Sequence, residues 1–289
     1  MHPTGRLLFP ALRWSPVTGF DHEQAVIEAA LGAGAGGFCI FGGDAVAVSA
    51  LTSSLRQRSR VPLLIGSDLE RGAGQQFPQA TPLPPLAAIG YLDDLALTRQ
   101  AGALTAREAR ALGINWVFAP VADVDFEPRN PIVGTRAFGR DSARVAAHVA
   151  AWVEGCRSEG AACCVKHFPG HGRTTEDSHA VLPRVTAGRD VLEEDLRPFR
   201  AAVAAGVDAV MTAHVVYEAL DAAAPATLST GILDGILRGE LGFAGLIATD
   251  ALNMAGILAA AAGDETAAAT AAVNAGCDAV LYPSDVAAL

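Results

Sequence analysis

Eight short apolar runs separated by helix-like segments limit this chain's possible folds more than any other feature. The runs are Leu7 to Leu12, Gly37 to Phe41, Pro62 to Gly66, Trp116 to Pro120, Ala161 to Val165, Ala209 to Ala213, Leu246 to Thr249 and Ala279 to Tyr282. Between them, helices are predicted over Asp21 to Leu31 with Asp21 as N-cap, Ala45 to Arg58, Leu92 to Leu112, Ser142 to Ser158, Val191 to Ala205, and Thr230 to Leu241 with Gly242 as the stop. Apolar runs that do not alternate with polar residues are buried on both faces. Such strands run parallel and are joined by helical crossovers. Eight of them in 289 residues predict a single-domain α/β chain, a (β/α)8 TIM-type barrel spanning 1–289. An open doubly wound sheet is the other arrangement of the same units. The sequence ends at Leu289, soon after the eighth run, so the last barrel helix is expected to be missing or truncated.

The polar residues at the ends of these runs give the barrel a direction. Asp68, Asp123, Lys166, His167, His214 and Asp250 sit at or just past the C-terminal ends of five successive strands. A polar residue terminating one strand is ordinary. Six of them converge on one mouth if the sheet closes, and active sites of this fold occupy that rim. Lys166 is the only lysine among 21 basic Lys and Arg residues, so a compact ammonium is kept at this one place. It opens the loop Lys166-His167-Phe168-Pro169-Gly170-His171-Gly172, which continues to Asp177-Ser178-His179.

Composition narrows the partners. A formal net charge of -10 disfavours nucleic acid and anionic membrane. The stretch Met1 to Pro10 lacks a basic segment followed by a long apolar one, so no signal peptide is expected, and no run is long enough to span a bilayer. Five cysteines, Cys39, Cys156, Cys163, Cys164 and Cys277, have no metal-ligand spacing and read as core residues of a reducing, cytoplasmic compartment.

The chemistry of the set follows from residue type. A carboxylate at a barrel mouth, Asp250, can be a nucleophile, a metal ligand, a sugar-hydroxyl acceptor or simply a helix N-cap. Asp177, two residues before His179, can orient the imidazole and favour its charged form, freeing the other nitrogen for general acid/base work. His171, flanked by glycines, is expected to shape the loop. Zinc held by His167, His171 and His179 lacks a compact helical motif, and no metal or other cofactor is expected.

The segment from Lys166 to Gly172 with Asp177-Ser178-His179 resembles the signature loop of glycoside hydrolase family 3, in particular its bacterial β-N-acetylglucosaminidase subgroup that recycles peptidoglycan. Gly113 to Val124, Asn130 to Gly139, Met211 to His214 and Thr249 to Leu252 resemble family segments in the same order. The resemblance implies a retaining enzyme acting on terminal β-linked N-acetylglucosamine. In it Asp250 is the nucleophile and His179, partnered by Asp177, the acid/base. Asp68, Arg136, Lys166 and His167 hold sugar hydroxyls, with Asp123, His214 and Met211 also in the substrate site. Two positions depart from the family pattern. Gln76 stands where a substrate-binding arginine is expected. Arg173 occupies an often acidic position and is expected to pair with Asp177 or to face water. β-Glucosidase or phosphorylase activity, a silent sugar-binding barrel and a metal hydrolase are the competing readings.

Overall fold

The computed structural model describes residues 3–289; Met1 and His2, the start of the stretch read for a leader, lie outside them. Its strands in chain order are β1 (Leu8–Phe9), β2 (Ala11–Arg13), β3 (Gly37–Phe41), β4 (Leu64–Ser67), β5 (Trp116–Val117), β6 (Ala162–Phe168), β7 (Arg184–Val185), β8 (Ala209–Thr212), β9 (Val216–Tyr217), β10 (Asp221–Pro225), β11 (Leu246–Ala248) and β12 (Val280–Leu281). Seven of them form one parallel sheet in the order β11-β8-β6-β5-β4-β3-β2. β1 and β12 close it. Leu8 and Phe9 pair with Val280 and Leu281, and Ala279 bridges to Ala248 of β11. β1 and β2 are a single run interrupted by Pro10, which has no N–H to give a ladder. Its first half serves the eighth strand and its second half serves β3, so the predicted barrel is closed.

Side-chain alternation fills the interior. Phe9, Cys39, Trp116, Phe118, Cys164, Met211 and Leu281 pack together inside the ring, while Cys163 and Val165 belong to the layer between sheet and helices. The interior leaves no spare room: a Cβ on Gly66 would lie 2.3 Å from the Phe118 ring. By the same two-residue period Lys166 follows Cys164 toward the barrel axis, at the mouth.

The outer layer is α1 (Gln24–Ala33), α2 (Ala45–Arg58), α3 (Leu86–Leu92), α4 (Leu95–Ala111), α5 (Ser142–Ser158), α6 (Arg189–Ala204), a π-helical segment Gly231–Glu240, α7 (Ala255–Ala260) and α8 (Glu265–Ala275). Three expectations are corrected. Asp21 caps nothing: it lies in a 3-10 turn, Asp21–Glu23, that leads into α1 without a side-chain cap. The helix expected over Leu92 to Leu112 is α4 and starts later, at Leu95: Leu92 ends the unanticipated α3, Asp93 adopts a left-handed φ of 53°, and Asp94 caps α4 by accepting from the Ala96 and Leu97 N–H groups. The fifth strand runs on to Phe168, so Lys166 and His167 belong to it rather than following it. No helix occurs in 282–289, the region where the last barrel helix was expected to be lacking. A small sheet of β10, β9 and β7 was not anticipated. It receives the loop that leaves β6, through Val216 N–H to Pro183 O at 2.9 Å.

Candidate active site

One cavity of about 560 Å³ opens among the C-terminal strand ends. Its wall includes Asp68, Arg136, Lys166, His167, His179, Met211 and Asp250, seven of the ten residues expected from sequence. Lys166, delivered by β6, is only 2% exposed. Its Nζ lies 2.6 Å from Asp68 Oδ1 and 2.7 Å from Glu70 Oε1. Glu70 also takes Arg136 in a two-pronged pair, Nε to Oε2 at 2.9 Å and Nη2 to Oε1 at 2.7 Å. Burial alone would lower the lysine and raise the carboxylic acid, but the opposite charges outweigh it. Lys166 is held above the usual lysine range and Glu70 below the usual carboxylate range. The four side chains are therefore a fixed, ionised frame of donors and acceptors, suited to hydroxyl groups.

His167 is oriented from behind. Asp123, fully buried, accepts from the His167 N–H at 3.2 Å and lies 2.7 Å from its Nδ1, which leaves Nε2 toward the cavity, 3.5 Å from Arg136 Nη2. His214 likewise stands one layer back, with Nδ1 2.7 Å from Thr227 Oγ1 and Nε2 3.1 Å from Ala251 O. Asp123 and His214 thus brace the wall and do not line it. Asp250 lies two residues beyond β11, and its Oδ1 accepts the Ala251 N–H at 2.7 Å. Burial pushes its acid upward, but His167, His214, that N–H and Lys166 overcome this and keep it below the usual carboxylate range. It is an anion facing the cavity at neutral pH.

His179 comes from the loop between β6 and β7. Asp177 Oδ1 lies 2.8 Å from His179 Nδ1 and accepts the His179 N–H at 2.8 Å. The N–H first, then the ring, hold the Asp177 acid below its ordinary value. The His179 side chain is 64% exposed at the rim. Arg173 departs from expectation: it neither pairs with Asp177 nor faces water. Its Nε reaches Asp195 Oδ2 of α6 at 2.7 Å, and its guanidinium covers the Phe126 ring at 3.9 Å. Asp195 is nearer than Asp177 because Gly170 lets α6 approach the loop root closely. His171 gives both ring nitrogens to hydroxyls, Thr174 and Ser178 at 2.9 Å each, so it does not join His167 and His179 in a ligand set.

Sequence reasoning missed Glu70 as a site residue, although an acid two places beyond Asp68 in a chain with one lysine was a usable signal. Arg13, Phe41 and Tyr282 also line the cavity. They come from the ends of the first, second and eighth apolar runs; Phe41 and Tyr282 carry no charge there, but Arg13, directly after Leu12, was a usable signal.

The Glycosyl hydrolase family 3 N terminal domain matches residues 34–289. The chain belongs to glycosyl hydrolase family 3. It is 44% identical over 244 residues to a Beta-hexosaminidase of Stenotrophomonas maltophilia, covering 81% of this chain and 71% of that one. It is 38% identical over 252 residues to a Beta-N-acetylglucosaminidase/beta-glucosidase of Cellulomonas fimi, covering 82% of this chain but only 44% of that longer protein. Among solved structures, the family 3 beta-N-acetylglucosaminidase of Paenibacillus superposes with a TM-score of 0.84 at 37% identity, over 96% of this chain and 54% of that one. The family 3 barrel is thus common to all three, and the longer relatives carry additional sequence beyond it.

Proposed function

We propose that this chain, as one catalytic barrel over 1–289, is a retaining β-glycosidase that releases terminal β-linked N-acetylglucosamine. The observation that carries the reading is that an anionic carboxylate, Asp250, and an Asp-paired imidazole, His179, line one cavity together with a charged frame fit for sugar hydroxyls. In the first step Asp250 attacks the anomeric carbon while His179, as imidazolium, gives its proton to the departing oxygen. In the second, neutral His179 takes a proton from water, which displaces Asp250 from the glycosyl-enzyme; two inversions retain configuration. Asp177 stabilises the imidazolium that opens the first step and re-forms in the second. Asp68, Glu70, Lys166, Arg136 and His167 hold the sugar, and Asp123 and His214 support them.

A chromogenic aryl N-acetyl-β-glucosaminide tests the assignment against the matching glucoside. Turnover of the N-acetyl sugar is expected, with Asp250→Asn abolishing it and His179→Ala slowing it severely; variants as active as the parent would end the assignment. Binding of the sugar without turnover by the intact chain would favour a silent barrel. His179 also supports phosphorolysis as a second reading, because a neutral imidazole repels phosphate less than a carboxylate would. Product analysis with and without phosphate separates glycosyl phosphate from free sugar. A role on peptidoglycan fragments in the cytoplasm suits the subgroup the loop resembles and the five unpaired, buried cysteines.

A further inference from the structure

We propose that His171 and Ser178 form a clasp that positions His179 over the cavity, an inference that rests on the acid/base reading of His179. The loop leaving β6 has no regular structure between Pro169 and Pro183, yet it is not loosely held. Between Thr174 and Pro183 every residue is at least partly exposed except Ser178, which is 2% exposed. Ser178 is therefore the inward anchor of the turn that carries His179. Its hydroxyl lies 2.9 Å from His171 Nε2, its one side-chain partner among the described residues.

The other side of His171 is fixed to the barrel. Its Nδ1 lies 2.9 Å from Thr174 Oγ1, and Asn130 Nδ2 donates to both the His171 carbonyl and that hydroxyl, at 2.9 and 3.1 Å. Its backbone N–H donates to Asp123 Oδ1 at 2.7 Å, on the same carboxylate that orients His167. One buried acid thus sets both the sugar-facing imidazole and the root of the loop. Burial pulls the His171 imidazole down to about 4, so it stays neutral, with one N–H and one lone pair. The two hydroxyls use both in either tautomer. On the far side, a Cβ on Gly256 of α7 would lie 2.9 Å from the Ser178 carbonyl and 2.6 Å from that of Val181. The segment that follows Asp250 therefore packs directly on the turn. A clasp of this kind removes the conformational freedom that a long surface loop otherwise keeps.

Leaving-group dependence separates positioning from a merely structural role. Aryl N-acetyl-β-glucosaminides from dinitrophenyl to unsubstituted phenyl span departure without and with proton assistance. For Ser178→Ala, kcat/KM on the phenyl substrate is expected to fall about tenfold or more while the dinitrophenyl value stays within about twofold, a fraction of the factor a positioned acid supplies. His171→Asn, which reaches only the Nδ1 position, should behave alike. His171→Gln, whose amide reaches the Nε2 position, should recover most of the loss. His179→Ala calibrates the series. If it steepens the dependence but Ser178→Ala and His171→Asn lower all substrates equally or not at all, the clasp is structural and the inference fails. If His179→Ala itself shows no leaving-group dependence, the acid/base reading fails and the clasp falls with it. Should Ser178→Ala not fold, as circular dichroism would show, the His171→Asn and His171→Gln pair decides by the same criterion.

Discussion

Glu70 offers the strongest test of the charged frame, because three contacts converge on one carboxylate that is 6% exposed. At a separation of 2.7 Å and an effective dielectric of about 20, each of the two ion pairs, to Arg136 and to Lys166, is worth about 6 kcal/mol of attraction. Desolvation of the partners offsets most of that. What does not cancel is the state left by Glu70→Ala, in which buried Lys166 and partly exposed Arg136 both lose this carboxylate. Arg136 then keeps the Ile132 carbonyl at 3.2 Å, and Lys166 keeps Asp68 at 2.6 Å. Removing one partner from a buried pair of this kind costs about 3–5 kcal/mol. Glu70→Gln keeps the shape and one acceptor oxygen, and should lose only about 1.5–3 kcal/mol, the worth of a hydrogen bond to a charged group. Urea unfolding at pH 7 measures both. The sign with pH is fixed by the depressed acid. Glu70's contribution is complete above its ordinary value of 4.5 and is lost as pH falls below it, so parent and Glu70→Ala converge in acid. A Glu70→Ala protein within about 1 kcal/mol of the parent at pH 7, or a gap that widens in acid, would refute the frame as described.

Three further outcomes are expected. Asp195, pushed by burial from 3.8 to about 7 despite Arg173, favours the fold when protonated; that stability is lost as pH rises from about 4 to 7, and Asp195→Asn should flatten the melting temperature over this window. Gly172→Ala places a Cβ 1.7 Å from the Val124 carbonyl and should cost about 1–3 kcal/mol, read as a lowered urea midpoint. Asp123→Asn removes the charge that holds His167 and the His171 N–H; it should lose about 1.5–3 kcal/mol in urea and lower kcat/KM on every substrate, the dinitrophenyl one included.

The barrel was legible because buried parallel strands leave an unbroken apolar signature. Gly37 to Phe41 and Ser142 to Ser158 match the structure residue for residue. The start of α4 was drawn three residues early and α3 was missed, since Leu92 and Leu95 keep the apolar spacing across the left-handed backbone at Asp93. The sheet of β7, β9 and β10 was hidden for another reason: its members of two and five residues carry too little apolar pattern to register. At the mouth, residues at strand ends were found directly. Glu70 was not, because its importance lies in whom it touches across the chain. Arg173 shows the same limit in reverse, since nothing in sequence spacing links it to Asp195 twenty-two positions on.

Pro10 has a practical corollary. Residues 8–13 knit the C-terminal end of the chain to β3, so the seam of the ring lies in a part of the sequence that precedes the family-matched stretch 34–289. A fragment trimmed to that stretch would strip one flank from Val280–Leu281 and one from Gly37–Phe41. Both would present bare hydrogen-bonding rims, and two such fragments could zip together edge to edge. Anyone shortening this protein should leave its first thirteen residues in place.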